Sequence, residues 1–459
     1  TLMRSLSLLF AAATLAAAPN PPAGFTALYN GKDLDGWRGG DTTSHRAYLA
    51  LTPEQRAERD KAWTADMLAH WKADGDELLN DGKGKYATTV KEYGDFELTL
   101  EYNMAPLGDS GIYLRGLPQV QIWDPANAKE KKNGADKGSG ALWNNAVNNG
   151  KFPLVLADKA PGEWNTLRIV MVGARVSVWL NGQQTVDHAI LENFYDRKDY
   201  ATLKEAGLVP KLATPTDYDR KVTIPARGPI SLQTHGAPIK WRNVFIREIA
   251  GAEANQWLAS KGTEGFRPIF NGKDLTDWKG ATDQYEIVDG AIFCKPKKGG
   301  NLYHKDDLTD FVARLEFKVP AGGNNGLCLR FPGTGNTAYV GMCELQVLDD
   351  NYDKVRGKLD PRQVHGSAYG MVGAQRGYQR PIGEWNFQEV TVKGSTIKVE
   401  LNGFIILDAD LGKVDMATVM AKSAHPGKDN AHGFFGFAGH GDAVGFRALS
   451  IKTLAPEKK

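Results

Sequence analysis

The sequence contains the same series of short blocks twice. Residues 24–37 (GFTALYNGKDLDGW) reappear as residues 265–278 (GFRPIFNGKDLTDW). Five further blocks recur in the same order: GIYLR at 111–115 and GLCLR at 326–330, VQIWD at 120–124 and LQVLD at 345–349, GEWN at 162–165 and 383–386, LNG at 180–182 and 401–403, and HG at 235–236 and 440–441. Internal repetition on this scale indicates a duplicated domain. We therefore expect a first domain at 24–250, a linker at 251–264 and a second domain at 265–454.

Both copies alternate apolar and polar residues with a period of two. Residues 96–102 and 311–317 carry an apolar side chain at every second position, a spacing that favours β-strands with one buried face. The apolar runs that end at residues 180 and 401 continue into Asn-Gly, which is the strongest short signal for a β-hairpin. We therefore predict an all-β fold with two antiparallel jelly-roll β-sandwich domains, the first of which has a helical insertion.

The first copy is longer than the second in two places. Residue 31 corresponds to residue 272 and residue 115 to residue 330, so the first copy has extra residues between these blocks. This segment includes Thr-Pro-Glu-Gln at 52–55, a capping box with proline at the first helical position, and it predicts a helical insert at about 38–70. We expect a lid or a packing helix. Other extra residues lie around 192–222, and such insertions belong on loops, where specificity is usually changed.

Composition and charge exclude several classes of protein. With 24% charged and 42% hydrophobic residues among 459, the chain is neither disordered nor a polytopic membrane protein. Lys+Arg of 56 against Asp+Glu of 54 gives a net charge of +2, without the basic excess that nucleic-acid binding needs. Three cysteines cannot all be paired, which excludes a disulfide-built scaffold. We expect all three thiols to be buried and inert.

The beginning of the sequence has the features of an export signal. Met3 and Arg4 precede an apolar run at 6–18, which ends in three alanines before Pro19. The run is shorter than the about 20 residues that cross a bilayer. A positive start, a short apolar core and a small-residue end indicate a secretory signal peptide at 1–18. We therefore expect a periplasmic or secreted bacterial protein without a membrane span.

The main candidate for chemistry is the predicted strand around residue 344. Glu344 and Gln346 alternate with Leu345 and Val347, so the two polar residues share one face of the sheet, about 6–7 Å apart at Cα. Polar groups at this separation can address adjacent atoms of a sugar ring. The motif has glutamine where a glycosidase with two catalytic carboxylates would have its second acid. A polar, exposed strand face without a ligand is the alternative.

In the first copy the corresponding strand carries different polar residues. Gln119 occupies the position of Glu344, so the two copies cannot use the same base. Gln121 and Trp123 share the face of Gln119. We select Trp123 as a candidate for sugar stacking, together with Trp143 in a Gly-rich loop, although most tryptophans in a sandwich belong to the core.

An arginine and a histidine recur near these strands. Arg115 and Arg330 each end the preceding strand, where a guanidinium could clamp a sugar oxygen or stabilise an oxyanion. The alternative is a salt bridge, in the first copy to Asp109. His235 and His440 each precede a glycine at the end of a late strand, where an imidazole could titrate near neutrality. A turn histidine bonded to backbone is the competing interpretation.

Motifs for other chemistries are absent from the sequence. It contains no HExxH, no GxSxG and no phosphate-binding loop. Its acidic residues and histidines have no diagnostic metal-ligand spacing. We therefore predict no cofactor; a divalent metal is compatible with the sequence but is not indicated by it. The expected partner is a carbohydrate, and the oligomeric state is open.

Taken in series, the blocks resemble the 3-keto-disaccharide hydrolase family, formerly a domain of unknown function. The phrases that carry the resemblance lie at 25–37, 109–116, 118–124, 162–165, 179–182, 192–197, 228–236 and 241–249, and the likeness covers nearly the whole chain, twice. The family is similar in fold to concanavalin A-like lectins and glucanases, in agreement with the predicted sandwich. The resemblance implies cleavage of glycosides oxidised at C3, in which the C2 proton is removed, the C1 substituent is eliminated and water is added.

The implied reaction needs a base, an enolate stabiliser and a proton donor. In the second copy we expect Glu344 or His440 as base and Arg330 as oxyanion partner. The expected sugar-binding residues there are Gln346 and Asp349.

In the first copy, we expect Asp124 or His235 as base, with Arg115 and Gln121 in support. The other candidate substrate-binding residues are Gln119, Trp123, Trp143 and Asp109. Which copy is active is open. The alternative functions are a non-catalytic, lectin-like carbohydrate-binding protein and an ordinary glycosidase that acts on unoxidised glycans.

Overall fold

Two β-sandwiches, one from each copy, make up the computed structural model, which describes residues 20–205 and 222–455. Each sandwich pairs an eight-stranded sheet with a five-stranded sheet, and neighbouring strands are antiparallel. The predicted all-β fold class is therefore confirmed. The predicted signal peptide at 1–18 lies outside the described residues.

Strands β1 to β13 form the first domain. Their bounds are Thr26–Ala27, Trp37–Gly40, Trp71–Asp74, Glu77–Asn80, Tyr86–Thr89, Phe96–Met104, Asp109–Leu114, Leu117–Trp123, Asn165–Val172, Arg175–Leu180, Gln183–Ile190, Ser231–Leu232 and Ile239–Glu248. The larger sheet has the order β11-β10-β9-β6-β13-β4-β3, with β1 beside β13. The smaller sheet has the order β2-β5-β12-β7-β8.

Strands β14 to β26 repeat this arrangement in the second domain. Their bounds are Arg267–Pro268, Trp278–Gly280, Tyr285–Val288, Ala291–Cys294, Gly299–Leu308, Phe311–Lys318, Asn324–Phe331, Cys343–Leu348, Asn386–Lys393, Thr396–Leu401, Phe404–Asp410, Gly433–His440 and Gly445–Thr453. The larger sheet has the order β16-β17-β26-β19-β22-β23-β24, with β14 beside β26. The smaller sheet, β15-β18-β25-β20-β21, ends in the pair that corresponds to β7 and β8.

The alternation of apolar and polar residues in the sequence matches the alternation of buried and exposed side chains in the strands. In β6, Phe96, Leu98 and Leu100 are at most 1% exposed and belong to the core, whereas Thr99 and Glu101 are partly exposed. The strand therefore buries one face against the other sheet, as the alternation predicts.

The two predicted hairpins form at the repeated Asn-Gly pairs. Asn181 and Gly182, between β10 and β11, have φ of 51° and 80°, and Asn402 and Gly403, between β23 and β24, have φ of 49° and 84°. A turn with two consecutive positive φ values matches the right-handed twist of the strands that it joins.

Helices are few and lie mainly in the insertions and the linker. Their bounds, α1 to α6, are His45–Leu49, Pro53–His70, Asp196–Glu205, Gly251–Ala259, Thr337–Val340 and Tyr352–Val355. Among the described residues, no helix is long and apolar enough to cross a membrane.

Helix α2 begins at the predicted capping box and packs against the smaller sheet. The Thr52 side chain accepts from the backbone N–H of Gln55, and the Gln55 side chain accepts from the backbone N–H of Thr52. Met67 is fully buried, and α2 lies against β2. A Cβ on Gly39 in β2 would lie 2.1 Å from the Trp63 carbonyl oxygen, so this close approach requires glycine. Of the two roles predicted for this helix, a lid or a packing helix, the structure shows the packing role.

Helix α4 and a buried ion pair join the domains. Ala254 and Leu258 of α4 pack in one cluster with residues of both domains, including Val172. Arg175 of the first domain donates through Nε to Glu400 Oε1 of the second, at 2.6 Å. Burial opposes the charge of Glu400, but its ion pairs with Arg175 and Lys261 outweigh burial and lower the pKa of this carboxyl. The predicted linker is thus part of a packed interface.

Candidate active sites

Each domain has a pocket on the outer face of its five-stranded sheet, over the last two strands. The first pocket has a volume of about 210 Å³ and is lined by Thr42, Asp109, Tyr113, Pro118, Gln119, Gln121, Trp123, Glu130, Asn133, Trp143, Asn144, Phe194, Gln233 and His235. The second has a volume of about 250 Å³ and is lined by Asn324, Asn336, Ala338, Tyr339, Glu344, Gln346, Leu348, Tyr352, Leu359, Gln363, Tyr369 and His440. Both volumes lie below the about 300–1,000 Å³ of drug-sized ligand pockets, so each pocket fits a small ligand such as one sugar ring.

Strand pairing explains why these residues meet. Gly326 of β20 pairs with Gln346 of β21, and Cys328 pairs with Glu344. Because alternate residues share a face, Glu344 and Gln346 point to the pocket, whereas Leu345 is fully buried in the core. The predicted common face of Glu344 and Gln346 is what the structure shows.

The second pocket brings together the predicted Glu344 and His440. His440 Nε2 lies 3.2 Å from Glu344 Oε1. The Glu344 side chain is only 4% exposed, whereas that of His440 is 44% exposed at the pocket mouth. The hydrogen bond that His440 donates to Glu344 raises the pKa of His440, because a carboxylate stabilises the imidazolium form. This pair can accept and return a proton.

A glycine makes room for the Glu344 side chain. A Cβ on Gly326 would lie 2.4 Å from both Cγ and Oε1 of Glu344. Glu344 therefore extends across the neighbouring strand towards His440. The equivalent Gly111 is crossed in the same way by Gln119, whose Oε1 would lie 2.9 Å from a Cβ there.

Amide groups form the rest of the second pocket floor. Gln346 donates through Nε2 to Asn324 Oδ1 at 2.8 Å. Within the described residues, Gln346 Oε1 is buried and has no hydrogen-bond partner. A buried acceptor of this kind is costly unless a ligand or water satisfies it. Gln346 is thus available to bind a sugar hydroxyl.

Tyrosines close the second pocket, Tyr369 from a turn and two others from the short helices α5 and α6. Gln363 donates through Nε2 to the Tyr369 hydroxyl at 3.3 Å, so the phenolic proton can be donated elsewhere. Burial raises the pKa of Tyr369, which keeps the phenol protonated at neutral pH. Tyr339 and Tyr352 line other parts of the wall.

In the first pocket the histidine faces a different carboxylate. His235 Nδ1 lies 3.1 Å from Asp109 Oδ2. Gln121 donates through Nε2 to Asp109 Oδ1 at 2.7 Å, and Gln119 in turn donates to Gln121. The hydrogen bond that His235 donates to Asp109 raises the pKa of His235. The structure therefore brings the candidates His235, Asp109, Gln119 and Gln121 together.

Both candidate tryptophans line the first pocket. Their ring centroids are 6.2 Å apart with an interplanar angle of 77°. Trp123 is 3% exposed and donates through Nε1 to Gly138 O, so its ring is part of the wall. Trp143 is half-buried, and the Lys151 ammonium lies over its ring, 4.6 Å from the ring centroid. Trp143 therefore offers more ring surface to a sugar than Trp123 does.

The two insertions of the first copy meet beside this pocket. Arg46 of α1 forms an ion pair with Asp199 of α3, in which Arg46 Nη1 lies 3.2 Å from Asp199 Oδ2. The same insertions supply Thr42 and the exposed Phe194 to the pocket lining. The Thr42 hydroxyl lies 2.9 Å from that of Tyr113. Insertions thus change the pocket of the first domain, as predicted for loops.

The prediction that Arg115 faces the site is wrong. Arg115 is fully buried and has φ of 53°, which turns it out of the strand alternation. Its guanidinium donates to the carbonyl oxygens of Gly94 and Gly173 and lies 3.2 Å from Asp95 Oδ1. The alternative salt bridge therefore exists, but with Asp95 rather than Asp109. Burial lowers the pKa of Arg115 to about 10.

Arg330 is displaced from the second pocket in the same way. It has φ of 46° and donates to the carbonyl oxygens of Thr309 and Gly394. Its Nη2 lies 2.7 Å from Asp310 Oδ1. Because these partners occupy the guanidinium, the predicted oxyanion role has no geometric support.

Asp124 and Asp349 hold loops and do not line the pockets. Asp124 accepts from the backbone N–H of Leu107 at 2.8 Å and of Ala126 at 2.9 Å. Asp349 accepts from the backbone N–H of Gly322 at 2.8 Å. The predictions of Asp124 as a base and Asp349 as a sugar ligand are therefore corrected.

Several pocket residues were not selected from the sequence. Strand alternation places Tyr113 and Asn324 on the pocket face, so this signal was present. Gln233 and Tyr369 reach the pockets from turns or loops, and Tyr339 from the short helix α5, for which the sequence has no comparable periodicity.

The other predicted chemistry concerns metals and thiols. In residues 20–205 and 222–455, no group of three or more His, Cys, Asp or Glu side chains could hold a metal ion. Cys294, Cys328 and Cys343 are free and buried, as predicted. Burial raises the pKa of each thiol, which suppresses the reactive thiolate.

Comparisons with known proteins agree with the duplication. The sequence profile of the family described as "3-keto-alpha-glucoside-1,2-lyase-like domain" matches residues 24–247 and 265–452. The chain is similar to the 3-keto-disaccharide hydrolase of Bacteroides thetaiotaomicron, with 25% identity over 248 residues that cover 46% of this chain and 86% of the relative.

Two solved structures are among those that match part of this chain. A putative glycosyl hydrolase from Parabacteroides distasonis is 26% identical, with 42% of this chain and 95% of that chain covered and a TM-score of 0.38. The carbohydrate-binding module CBM66 from Bacillus subtilis is 13% identical, with 39% of this chain and 97% of that chain covered and a TM-score of 0.27.

Proposed function

Because the chain belongs to the family of 3-keto-alpha-glucoside-1,2-lyase-like domains, we propose that it is an enzyme that cleaves glycosides oxidised to a ketone at C3. The observation that carries the proposal is the contact between the buried carboxylate of Glu344 and the exposed imidazole of His440 on the floor of a sugar-sized pocket. Such a pair suits the removal of a proton from carbon next to a ketone.

The ketone makes the C2 proton acidic, because the electron pair left at C2 is delocalised into an enolate. Elimination then forms the C1–C2 double bond, breaks the bond between C1 and the leaving oxygen, and transfers a proton to that oxygen. Water adds at C1 of the resulting unsaturated ketone and a proton returns to C2. The net reaction is hydrolysis, in which no atom is oxidised or reduced overall.

In the second pocket, His440 takes the C2 proton and Glu344 stabilises the imidazolium that forms. The short contact joins Glu344 to Nε2, so Nδ1 is the nitrogen that remains for the substrate. The same pair returns the proton during hydration. Of the two candidate bases in this copy, His440 thus acts as the base and Glu344 as its partner.

The remaining roles fall to neighbouring polar groups. Tyr369, held protonated by burial, donates a proton to the leaving oxygen. Asn336 uses its Oδ1 to cap helix α5 and supplies amide N–H donors to the enolate oxygen. The unpartnered Oε1 of Gln346 accepts a hydrogen bond from a sugar hydroxyl. Arg330 has no part in this assignment.

An ordinary two-carboxylate glycosidase fits the second pocket less well. Among the described residues that line it, Glu344 is the only carboxylate. Retaining and inverting glycosidases need two, about 5–9.5 Å apart.

The deciding experiment compares a 3-keto-glucoside with its parent glucoside as substrates for the purified protein. Turnover of the keto compound alone is the expected result. Cleavage of both compounds would establish an ordinary glycosidase, and binding without turnover would establish a lectin-like protein. Either result would overturn the proposal.

We also propose that the protein is exported, on the basis of the signal-peptide pattern at 1–18. The pattern predicts a mature protein that begins at Pro19. N-terminal sequencing of the protein from the periplasm or medium of a bacterial host tests this, and an uncleaved cytoplasmic protein would contradict it.

A further inference from the structure

Both pockets contain a carboxylate and an amide at two corresponding strand positions, but the two groups have exchanged places between the pockets. Asp109 corresponds to Asn324 at the start of β7 and β20, and Gln119 corresponds to Glu344 in β8 and β21. Each pocket therefore has one carboxylate and one amide at these two positions, in opposite order. Gln121 and Gln346 keep the same place and donate to Asp109 and Asn324, respectively.

The histidine contacts whichever residue is the carboxylate. His235 approaches Asp109 through Nδ1 at 3.1 Å, and His440 approaches Glu344 through Nε2 at 3.2 Å. The carboxylate thus lies on a different strand in each pocket, and a different ring nitrogen of the histidine contacts it. In the first pocket Nε2 remains for a substrate, whereas in the second Nδ1 remains.

Resting on the proposed function, we infer that the first pocket is a second, independent catalytic centre for 3-keto-glycosides, in which Asp109 replaces Glu344 as the partner of the catalytic histidine. The first copy has Gln119 at the position of Glu344, and this difference alone would leave its histidine without a carboxylate partner and the copy inactive. Asp109 supplies the carboxylate that Gln119 lacks.

The floor of the first pocket is also prepared for a polar ligand. Gln119 Oε1 and Gln233 Oε1 are buried and have no hydrogen-bond partner among the described residues. Gln119 and Gln233 are 7% and 6% exposed and both line the pocket. Two buried acceptors without partners in one pocket are unfavourable unless hydroxyl groups reach them.

The exchange changes the position of the charge. Asp109 pairs with Trp123 at one end of the β7–β8 ladder, whereas Glu344 extends across Gly326 to the middle of the second floor. The middle of the first floor is therefore a neutral amide surface, flanked by the half-buried Trp143. We expect the first centre to select leaving groups with a ring that stacks on Trp143.

The test rebuilds the arrangement of the second pocket in the first. In a His440→Ala background, which removes the second centre, we expect residual turnover of the 3-keto-glycoside that His235→Ala abolishes. Asp109→Asn in this background should lower the residual kcat/KM about 10²-fold or more, the usual share of acid–base catalysis. Adding Gln119→Glu should recover at least a tenfold part of the loss.

A second readout does not depend on activity. Asp109 and, at longer range, Glu130 raise the pKa of His235, so its titration by NMR should shift to lower pH in Asp109→Asn. The shift should reverse in Asp109→Asn/Gln119→Glu, because the new carboxylate faces the same imidazole. Asp136→Asn, an exposed carboxylate of the same domain, is the control and should leave His235 unchanged.

The outcomes separate the two proposals. An inactive wild-type protein would overturn both. If the wild type is active but His440→Ala abolishes all turnover, the proposed function stands and the inferred catalytic centre in the first pocket does not. An unchanged His235 titration in Asp109→Asn would also overturn the inference, whatever the activity.

Discussion

Gly326 lies directly beneath Glu344, and a Cβ at this glycine would lie 2.4 Å from the carboxylate oxygen Oε1. The contacting atoms belong to the end of a flexible side chain, so Gly326→Ala should displace Glu344 without preventing folding. Displacement by about 1 Å at a reacting group can cost about 10²-fold in rate. We expect a loss of this order in the second centre and a lower pKa of His440.

Gly111→Ala is the matched control for this substitution, since it displaces Gln119 in the first pocket instead. It should leave the His440 titration unchanged. Measurement of kcat/KM on a 3-keto-glucoside in the His235→Ala background isolates the second centre. Full activity of Gly326→Ala there would show that the position of Glu344 is unimportant.

The pH dependence of the second centre should follow His440. A base must be neutral, so kcat/KM should fall as the pH drops below the pKa of His440. Glu344 raises this pKa by its hydrogen bond, and Asp442 adds a smaller effect. Glu344→Gln should therefore move the acid limb of the profile to lower pH and reduce the plateau. An acid limb that does not move would contradict the assigned pair.

Arg115 is expected to affect stability and not the chemistry of the pocket. Arg115→Met removes a buried cation that hydrogen-bonds to Gly94 and Gly173 and leaves Asp95 without this partner. Breaking a buried ion pair in this way typically costs about 3–5 kcal/mol. We expect a clearly lower Tm, with kcat/KM per folded molecule preserved below the transition. Loss of activity at unchanged Tm would restore the oxyanion role that the geometry argues against.

The ion pair between the domains should make stability depend on acidity. Because Arg175 and Lys261 lower the pKa of Glu400 to about 2, despite its burial, the carboxylate contributes to the free energy of unfolding above its unfolded pKa of about 4.5. This contribution is lost as the pH falls from about 5 to about 2.

Glu400→Gln should remove most of this contribution at pH 7 and flatten the acid dependence. Denaturant unfolding of both proteins at several pH values measures it. Glu248→Gln, which alters an exposed ion pair with Lys91, is a suitable control with little expected effect. Parallel pH curves for wild type and Glu400→Gln would contradict this assignment.

Sequence reasoning succeeded where the signal is local or periodic. The alternation around Glu344 and Gln346 placed both on one face, because a strand alternates its side chains whatever it packs against. Repetition of His235 and His440 at the ends of corresponding strands identified the two histidines. Thr52 and Gln55 marked the start of α2, because capping depends only on neighbouring backbone groups.

It failed where a residue leaves the regular pattern. Arg115 and Arg330 have positive φ, so their side chains turn away from the face that alternation assigns to them. Asp124 and Asp349 are satisfied by backbone N–H groups of loops that are distant in sequence, which no spacing reveals. A residue that recurs in both copies can therefore stabilise the fold of both domains as readily as it can serve a shared function.

By itself, the sequence determined the duplication, the sandwich architecture and the polar strand faces, since these follow from repetition, period and turn chemistry. Only the tertiary structure decided that Asp109 faces His235 while Glu344 faces His440. Their contacts join segments that are far apart in the chain, and in the second pocket Gly326 leaves room for the Glu344 side chain. The partner of each histidine is thus a property of how the strands pair, which no local pattern in the sequence reveals.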